Sequence, residues 1–187
     1  MDLTIIDNFL PNEIFFRLKE TIYSNQHPWF FLDTSTGYDN NLIEYYTFGC
    51  YIVKISNPEV YNPIISSSKY VKILNEHVKQ KFGFSTVLRS RLDMTTYRSK
   101  KVTFQPHVDL IQKHYTSIFY LTECDAPTII YNEKHFSDEL IDAEQLSIMQ
   151  EVCPKENRII IFDGNYIHTG TSATDVSRRI LVNSNYI

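Results

Sequence analysis

Arg158-Ile159-Ile160-Ile161-Phe162-Asp163-Gly164-Asn165-Tyr166-Ile167-His168-Thr169-Gly170 is the stretch on which the fold turns. An apolar, β-branched run leads through a glycine-containing polar turn into a second short run that carries one histidine, which reads as strand, turn, strand. Two of the chain's five glycines, Gly164 and Gly170, bracket His168. Working outward, short segments rich in β-branched and aromatic residues recur between polar turns at 87–97, 101–104, 108–111, 115–123, 128–132, 158–162, 166–169 and 178–186. Closely spaced strands with few helices between them predict an antiparallel sandwich, barrel or jelly roll. The acid-rich stretch 133–146 interrupts the series and is expected to be a solvated loop or short helix.

The first third reads differently, as a helical and loop-rich shell over residues 1–84, with the β core at 85–187. Residues 3–6 form a candidate short strand, and Leu10-Pro11-Asn12-Glu13 is a helix start with proline in the first turn, running to about Tyr23. Tyr70, Leu74, Val78 and Phe82 recur every fourth residue before Gly83 supplies a stop, which predicts a second helix lying against a sheet. Between the two helices, Trp29, Phe30, Phe31, Tyr45, Tyr46, Phe48 and Tyr51 are expected to be packing, with some lining a cleft.

The chain's 187 residues, 43% of them hydrophobic, suffice for one core and are few for two, so 1–187 is read as one domain. Eighteen Lys and Arg against 22 Asp and Glu give a formal charge of -4, which removes any general attraction to phosphate backbones or anionic lipid. Nucleic acid and membrane surfaces are therefore not expected partners. Apolar runs such as 29–32, 118–121 and 159–162 are far shorter than a membrane span of about 20 residues. The opening MDLTIIDNFLPNE carries acids where an export signal carries bases and an apolar stretch, so a cytoplasmic setting is expected. Cys50, Cys124 and Cys153 have neither disulfide-framework nor zinc spacing and are expected to be small apolar fillers.

The chemistry lies in Gln105-Pro106-His107-Val108-Asp109. On a strand, residues two apart share a face, so His107 and Asp109 reach one ion together while Val108 faces away. In a chain with six histidines an isolated HxD is a weak signal. It gains weight from His168, because two histidines and one carboxylate make a facial triad that leaves positions open on ferrous iron. Zinc fits the same ligands. His114 and His135 are the other candidate third ligands, but neither has the strand-turn-strand setting, and both read as surface histidines. Asp163 reads as a turn-fixing residue. Arg178 and Arg179 open the last segment, where an arginine grips a carboxylate in a two-pronged pair.

In order, Tyr97, His107-x-Asp109, Ile118-Phe119-Tyr120-Leu121, Arg158 to Gly164, His168 and Arg178 resemble the Fe(II)- and 2-oxoglutarate-dependent oxygenases, and within them the small prolyl-4-hydroxylase-like members of microbial and phage type. The resemblance implies a mainly β fold with flanking helices, the cupin-like jelly roll called a double-stranded β-helix. It implies iron on His107, Asp109 and His168, 2-oxoglutarate on Arg178 or Arg179, and Tyr97 and Tyr120 as co-substrate contacts. Dioxygen would be consumed, succinate and carbon dioxide released, and a C–H bond of a small molecule, peptide or protein side chain hydroxylated. Two other classes share parts of the pattern: a cupin-like metal enzyme that does not use 2-oxoglutarate, and a non-catalytic jelly-roll binding protein. Of the two arginines, the side-chain alternation of a strand admits only one to the barrel. Arg178 brings Ile180, Val182 and Ser184 inward with it, whereas Arg179 brings Leu181, Asn183 and Asn185, so an apolar interior favours Arg178. Residues 29–51 and 98–104 are expected to border the cleft.

Overall fold

A computed structural model describes residues 3–32, 46–137, 139 and 141–187. Among these residues ten strands and two α-helices follow in the order β1 (Thr4–Ile6), α1 (Asn12–Tyr23), β2 (Phe30–Leu32), β3 (Thr47–Val53), α2 (Ser68–Phe82), β4 (Val87–Thr96), β5 (Tyr115–Tyr120), β6 (Thr128–Lys134), β7 (Ile148–Val152), β8 (Ile159–Asp163), β9 (Tyr166–Gly170) and β10 (Arg178–Tyr186). Seven strands form one antiparallel sheet in the order β1-β8-β5-β10-β4-β3-β2, and β7-β6-β9 form a second. The chain passes between the two sheets from β5 to β6, from β7 to β8, from β8 to β9 and from β9 to β10, as in a jelly roll. No helix among the described residues is long and apolar enough to cross a membrane.

The helices end where local chemistry ends them. The apolar stripe of α2 stops at Gly83, whose φ of 74° is left-handed and whose N–H donates to the Lys79 carbonyl, closing the last turn. Both helices lie against the outer face of the large sheet. Leu18, Ile22, Val71, Leu74 and Val78 from the helices form one core with Phe119, Leu121, Ile159, Ile161, Ile180 and Val182 from the strands. The intervening residues of the same strands, Ile118, Tyr120, Ile160, Phe162 and Leu181, point the other way and meet Ile130 and Val152 of the small sheet. The central strands are thus buried on both faces, which explains why 159–162 is an unbroken apolar run and not an alternating one.

The structure departs from the sequence reading in several places. Residues 101–104 and 108–111 are not strands. Residues 103–107 do run antiparallel to β9, through isolated bridges Thr103 to Thr171 and His107 to His168. The spacing on the two sides differs by one residue, and Pro106 has no N–H for a ladder, so regular pairing fails. The N-terminal region is more than a shell, since β1, β2 and β3 all join the large sheet. β7 forms at 148–152, where no strand was expected, and the acid-rich stretch 133–146 before it contains the end of β6 and a short 3-10 turn, Ala143–Gln145. Tyr45 falls outside the described residues.

The turn in the opening motif behaves as its residues suggest. Asp163 Oδ1 accepts from the Asn165 N–H at 3.1 Å, and Gly164 sits against the ring of His114, where an added Cβ would lie 2.1 Å from Nε2. His114 is 1% exposed, which corrects its reading as a surface histidine. Gly164→Ala must displace a buried ring. It is expected to cost about 3 kcal/mol, seen as a fall in melting temperature of roughly 6–12 °C.

Candidate functional site

His107, Asp109 and His168 converge, with one ligand atom from each lying within 4.8 Å of the others. Two backbone hydrogen bonds hold the histidines side by side: the His107 N–H donates to the His168 carbonyl at 3.0 Å and the His168 N–H to the His107 carbonyl at 2.9 Å. Val108 turns away and packs with Ile129, Tyr131 and Ile167 on the far side of the small sheet. A strand's alternation survives here without a regular strand, because the single bridge at His107 sets the direction of the residues that follow.

Each imidazole is oriented from behind. His107 Nδ1 is 3.0 Å from the Gln105 carbonyl and His168 Nδ1 is 3.0 Å from the Tyr166 carbonyl, which selects for each neutral ring the tautomer that donates from Nδ1 and carries its lone pair on Nε2. His168 Nε2 is buried and has no hydrogen-bond partner. Its nearest polar group, Asp109 Oδ2 at 3.7 Å, is too far for a bond. An orphaned, buried, lone-pair nitrogen facing a carboxylate and a second imidazole fits a divalent transition metal such as iron.

Asp109 is fixed by an unusually full set of donors. Arg89 Nη2 reaches Oδ1 at 2.5 Å, Asn183 Nδ2 reaches both oxygens at 3.1 and 3.2 Å, and Asn185 Nδ2 and the Thr116 hydroxyl reach Oδ2 at 2.9 and 3.2 Å. Burial pushes this carboxyl up, but Arg89, the neighbouring imidazoles and the Asn185 amide outweigh it and hold the group well below the ordinary carboxylate range. It is an anion whenever the protein is folded near neutrality.

Burial, reinforced by His168, drives His107 in the opposite sense, from an ordinary value of 6.5 down to about 4. Folded His107 therefore stays neutral across the interval in which an unfolded histidine takes up a proton. The unfolded state binds more protons between pH 6.5 and 4, so stability is full above 6.5 and falls as the pH drops through that window. His107→Gln is expected to lessen this acid-side loss in metal-free protein, measured by urea denaturation at stepped pH.

The cluster lies on a cleft of about 560 Å³, part of it open to solvent, whose lining includes Thr47, Arg91, Asp93, Phe104, His107, Thr128, His168, Arg179 and Asn183. Arg179 is the arginine that enters it. The side chain is 5% exposed, Nε donates to the Ala126 carbonyl at 3.1 Å and Nη2 to Thr128 Oγ1 at 2.9 Å. Arg178 leaves on the opposite face and stacks over the ring of Tyr23 at 4.4 Å. The expected orientation of β10 is thus reversed: Ile180 and Val182 face the helices, while Arg179, Leu181 and Asn183 face the cleft. Apolarity marks the helix-covered face here, and the amides that looked misplaced in a barrel are the donors that hold Asp109.

Thr128 Oγ1 accepts from Arg179 and also from the Tyr120 hydroxyl at 2.8 Å. With both lone pairs engaged, its own proton is free to point into the cleft beside the Arg179 guanidinium. Tyr120 is fully buried and acts on the cleft only through Thr128. Tyr97 is 52% exposed and does not line the cleft. Of the segments expected at its border, Thr47 and Phe104 do line it, and residues 33–45 lie outside the described residues. Thr128, Arg89, Arg91 and Asp93 went unnoticed in the sequence, and Asn183 and Asn185 were weighed only as amides out of place in an apolar interior. The signal was the alternation Arg89-Ser90-Arg91-Leu92-Asp93, which on its own reads as a solvated strand face.

No family model matches the chain, and no curated protein matches its sequence. Solved structures do match its fold. A 2OG-Fe(II) oxygenase family oxidoreductase from Burkholderia pseudomallei superposes with a TM-score of 0.67 at 9% identity, covering 98% of this chain and 84% of that one. A prolyl hydroxylase from Trichoplax adhaerens, solved with a hypoxia inducible factor peptide fragment, gives 0.66 at 12% identity, covering 99% and 83%. HygX from Streptomyces hygroscopicus, solved with nickel and 2-oxoglutarate, gives 0.63 at 11% identity, covering 98% and 82%. Likeness at such identities is a likeness of architecture, and by architecture this chain is a double-stranded β-helix of the kind found in the 2OG-Fe(II) oxygenases.

Proposed function

We propose that the chain is an Fe(II)- and 2-oxoglutarate-dependent oxygenase that hydroxylates its substrate. The observation that carries this reading is the orphaned His168 Nε2 beside His107 and Asp109, on the same cleft as a buried arginine. His107 and His168 would offer their Nε2 lone pairs and Asp109 one oxygen, three ligands on one side of the ion. Bound there, ferrous iron with 2-oxoglutarate and dioxygen would supply the oxidising chemistry, one oxygen atom going to the substrate and the other to succinate, with carbon dioxide released. Arg179 and the Thr128 proton would hold the far carboxylate of 2-oxoglutarate, with Tyr120 fixing the Thr128 hydroxyl. Phe104, Ile118 and Leu181 give part of the cleft wall an apolar surface. The free thiols Cys50, Cys124 and Cys153 suit the reducing cytoplasm, where we place the protein.

Anaerobic titration with ferrous iron and 2-oxoglutarate tests the reading. A visible absorption band that needs both components is the expected result. Iron binding without such a band would favour a cupin-like enzyme that does not use 2-oxoglutarate, and no iron binding would overturn the metal assignment.

A further inference from the structure

The β4 side of the cleft carries a charge pair that the oxygenase reading leaves unused. Arg91 and Asp93 share a face of β4 and both line the cleft with His107 and His168. Arg91 Nε lies 2.6 Å from Asp93 Oδ1, yet neither atom is aligned for a hydrogen bond. The guanidinium's other contact is with Tyr51, whose hydroxyl is 3.4 Å from Nη1. The two side chains are only 13% and 15% exposed. Arg91 Nε and Asp93 Oδ1 thus have no hydrogen-bond partner among the described residues, although the two groups form an ion pair with each other.

Such a pair has no stabilising reason to be there. Taking two ions out of water costs several kcal/mol each, and replacing a buried ion pair by an apolar pair of similar volume is often neutral or stabilising. Arg89, one repeat earlier on the same face, shows the contrast, since it is engaged by Asp109. The cross-strand register sets the pair apart from the other cationic anchor. Arg179 lies opposite Thr95 and Asn183 opposite Arg91, which separates the two guanidinium attachment points by about 13 Å along the strand.

A ligand that completes this pair must bring an anion for Arg91 and a cation for Asp93 side by side. An α-amino acid bears both on one carbon. An internal residue of a peptide bears neither and would leave the two groups with only each other. We infer that the substrate of the oxygenase proposed above, on which this step rests, is a free α-amino acid or close amino-carboxylate. Arg91 takes its carboxylate and Asp93 its ammonium, and the side chain faces Phe104, Ile118 and the His107–Asp109–His168 cluster. The apolar part of that wall suits an uncharged side chain.

The test is calorimetric titration of the protein loaded with Ni(II) and 2-oxoglutarate, using the free amino acids, their N-acetyl and primary amide forms, and short blocked peptides. At least one free amino acid is expected to bind, and each blocking group to weaken it about tenfold or more. Arg91→Gln is expected to weaken the free acid and barely change the amide form; Asp93→Asn is expected to do the same with respect to the N-acetyl form. Both variants should keep metal and 2-oxoglutarate binding. Normal loading with no amino acid bound, or with blocked forms and peptides bound equally well, would overturn the inference. Failure of metal or 2-oxoglutarate to bind would defeat the oxygenase reading instead. The titration is then repeated on the metal-free protein, where binding with the same Arg91 and Asp93 dependence upholds the amino-acid site and its absence rejects it.

Discussion

His168→Ala is expected to abolish metal binding while leaving the protein folded, whereas Asp109→Ala is expected to lose both the metal and a large part of the stability. The difference follows from what each side chain does in the metal-free protein. His168 Nε2 has no partner, and the two backbone bonds that pair it with His107 survive truncation. Changes to groups that merely orient a ligand cost 10–100-fold in metal affinity, so loss of the ligand itself should exceed about 100-fold. Asp109 also receives Arg89, Asn183, Asn185 and Thr116. Removing it strands a guanidinium that is 12% exposed, a change worth about 3–5 kcal/mol and a fall in melting temperature of roughly 10 °C. Paired measurements of Mn(II) affinity and thermal unfolding separate the two outcomes. Retention of metal affinity by His168→Ala would remove that residue from the site, and an unchanged melting temperature for Asp109→Ala would show that Arg89 finds another partner.

Arg179→Ala is expected to weaken 2-oxoglutarate binding by about 10–150-fold, and Arg178→Ala to leave it within about twofold. A charge-assisted bond to a carboxylate is worth about 1.5–3 kcal/mol, and of these two arginines only Arg179 lines the cleft. Arg178 sits over Tyr23 on the helix side. Arg179→Lys keeps the charge but forfeits the two-pronged geometry and the bond to Thr128, and should fall between the two. The readout is 2-oxoglutarate affinity of the metal-loaded protein. Equal loss in both arginine variants would point to a general electrostatic effect.

Much of this was legible in local sequence, for local reasons. The apolar spacing of 70–82 and Gly83 after it made α2, and the proline-led start at Leu10-Pro11-Asn12 made α1, because helix start, stripe and stop are all written within a few residues. β4, β5, β8, β9 and β10 were likewise marked by β-branched and aromatic runs between turns. The short edge strand β2 and the aromatic strand β3 were hidden, since their residues resemble packing elements until a sheet edge is present to pair with them.

The sequence by itself determined the composition of the site: a histidine and an aspartate two apart, a histidine after a tight glycine turn, and an arginine pair at the head of the last strand. It also determined that residues two apart share a face. Only the tertiary structure decided which face was which. β10 lies between β4 and β5 and is covered on both sides, by helices on one and by the small sheet and cleft on the other. Alternation gives a strand two faces and no label for either. Apolar residues marked the face under the helices, and the row that reads as the polar outside of an ordinary strand, Arg179, Asn183 and Asn185, became the inside, because a buried carboxylate there must be met by donors.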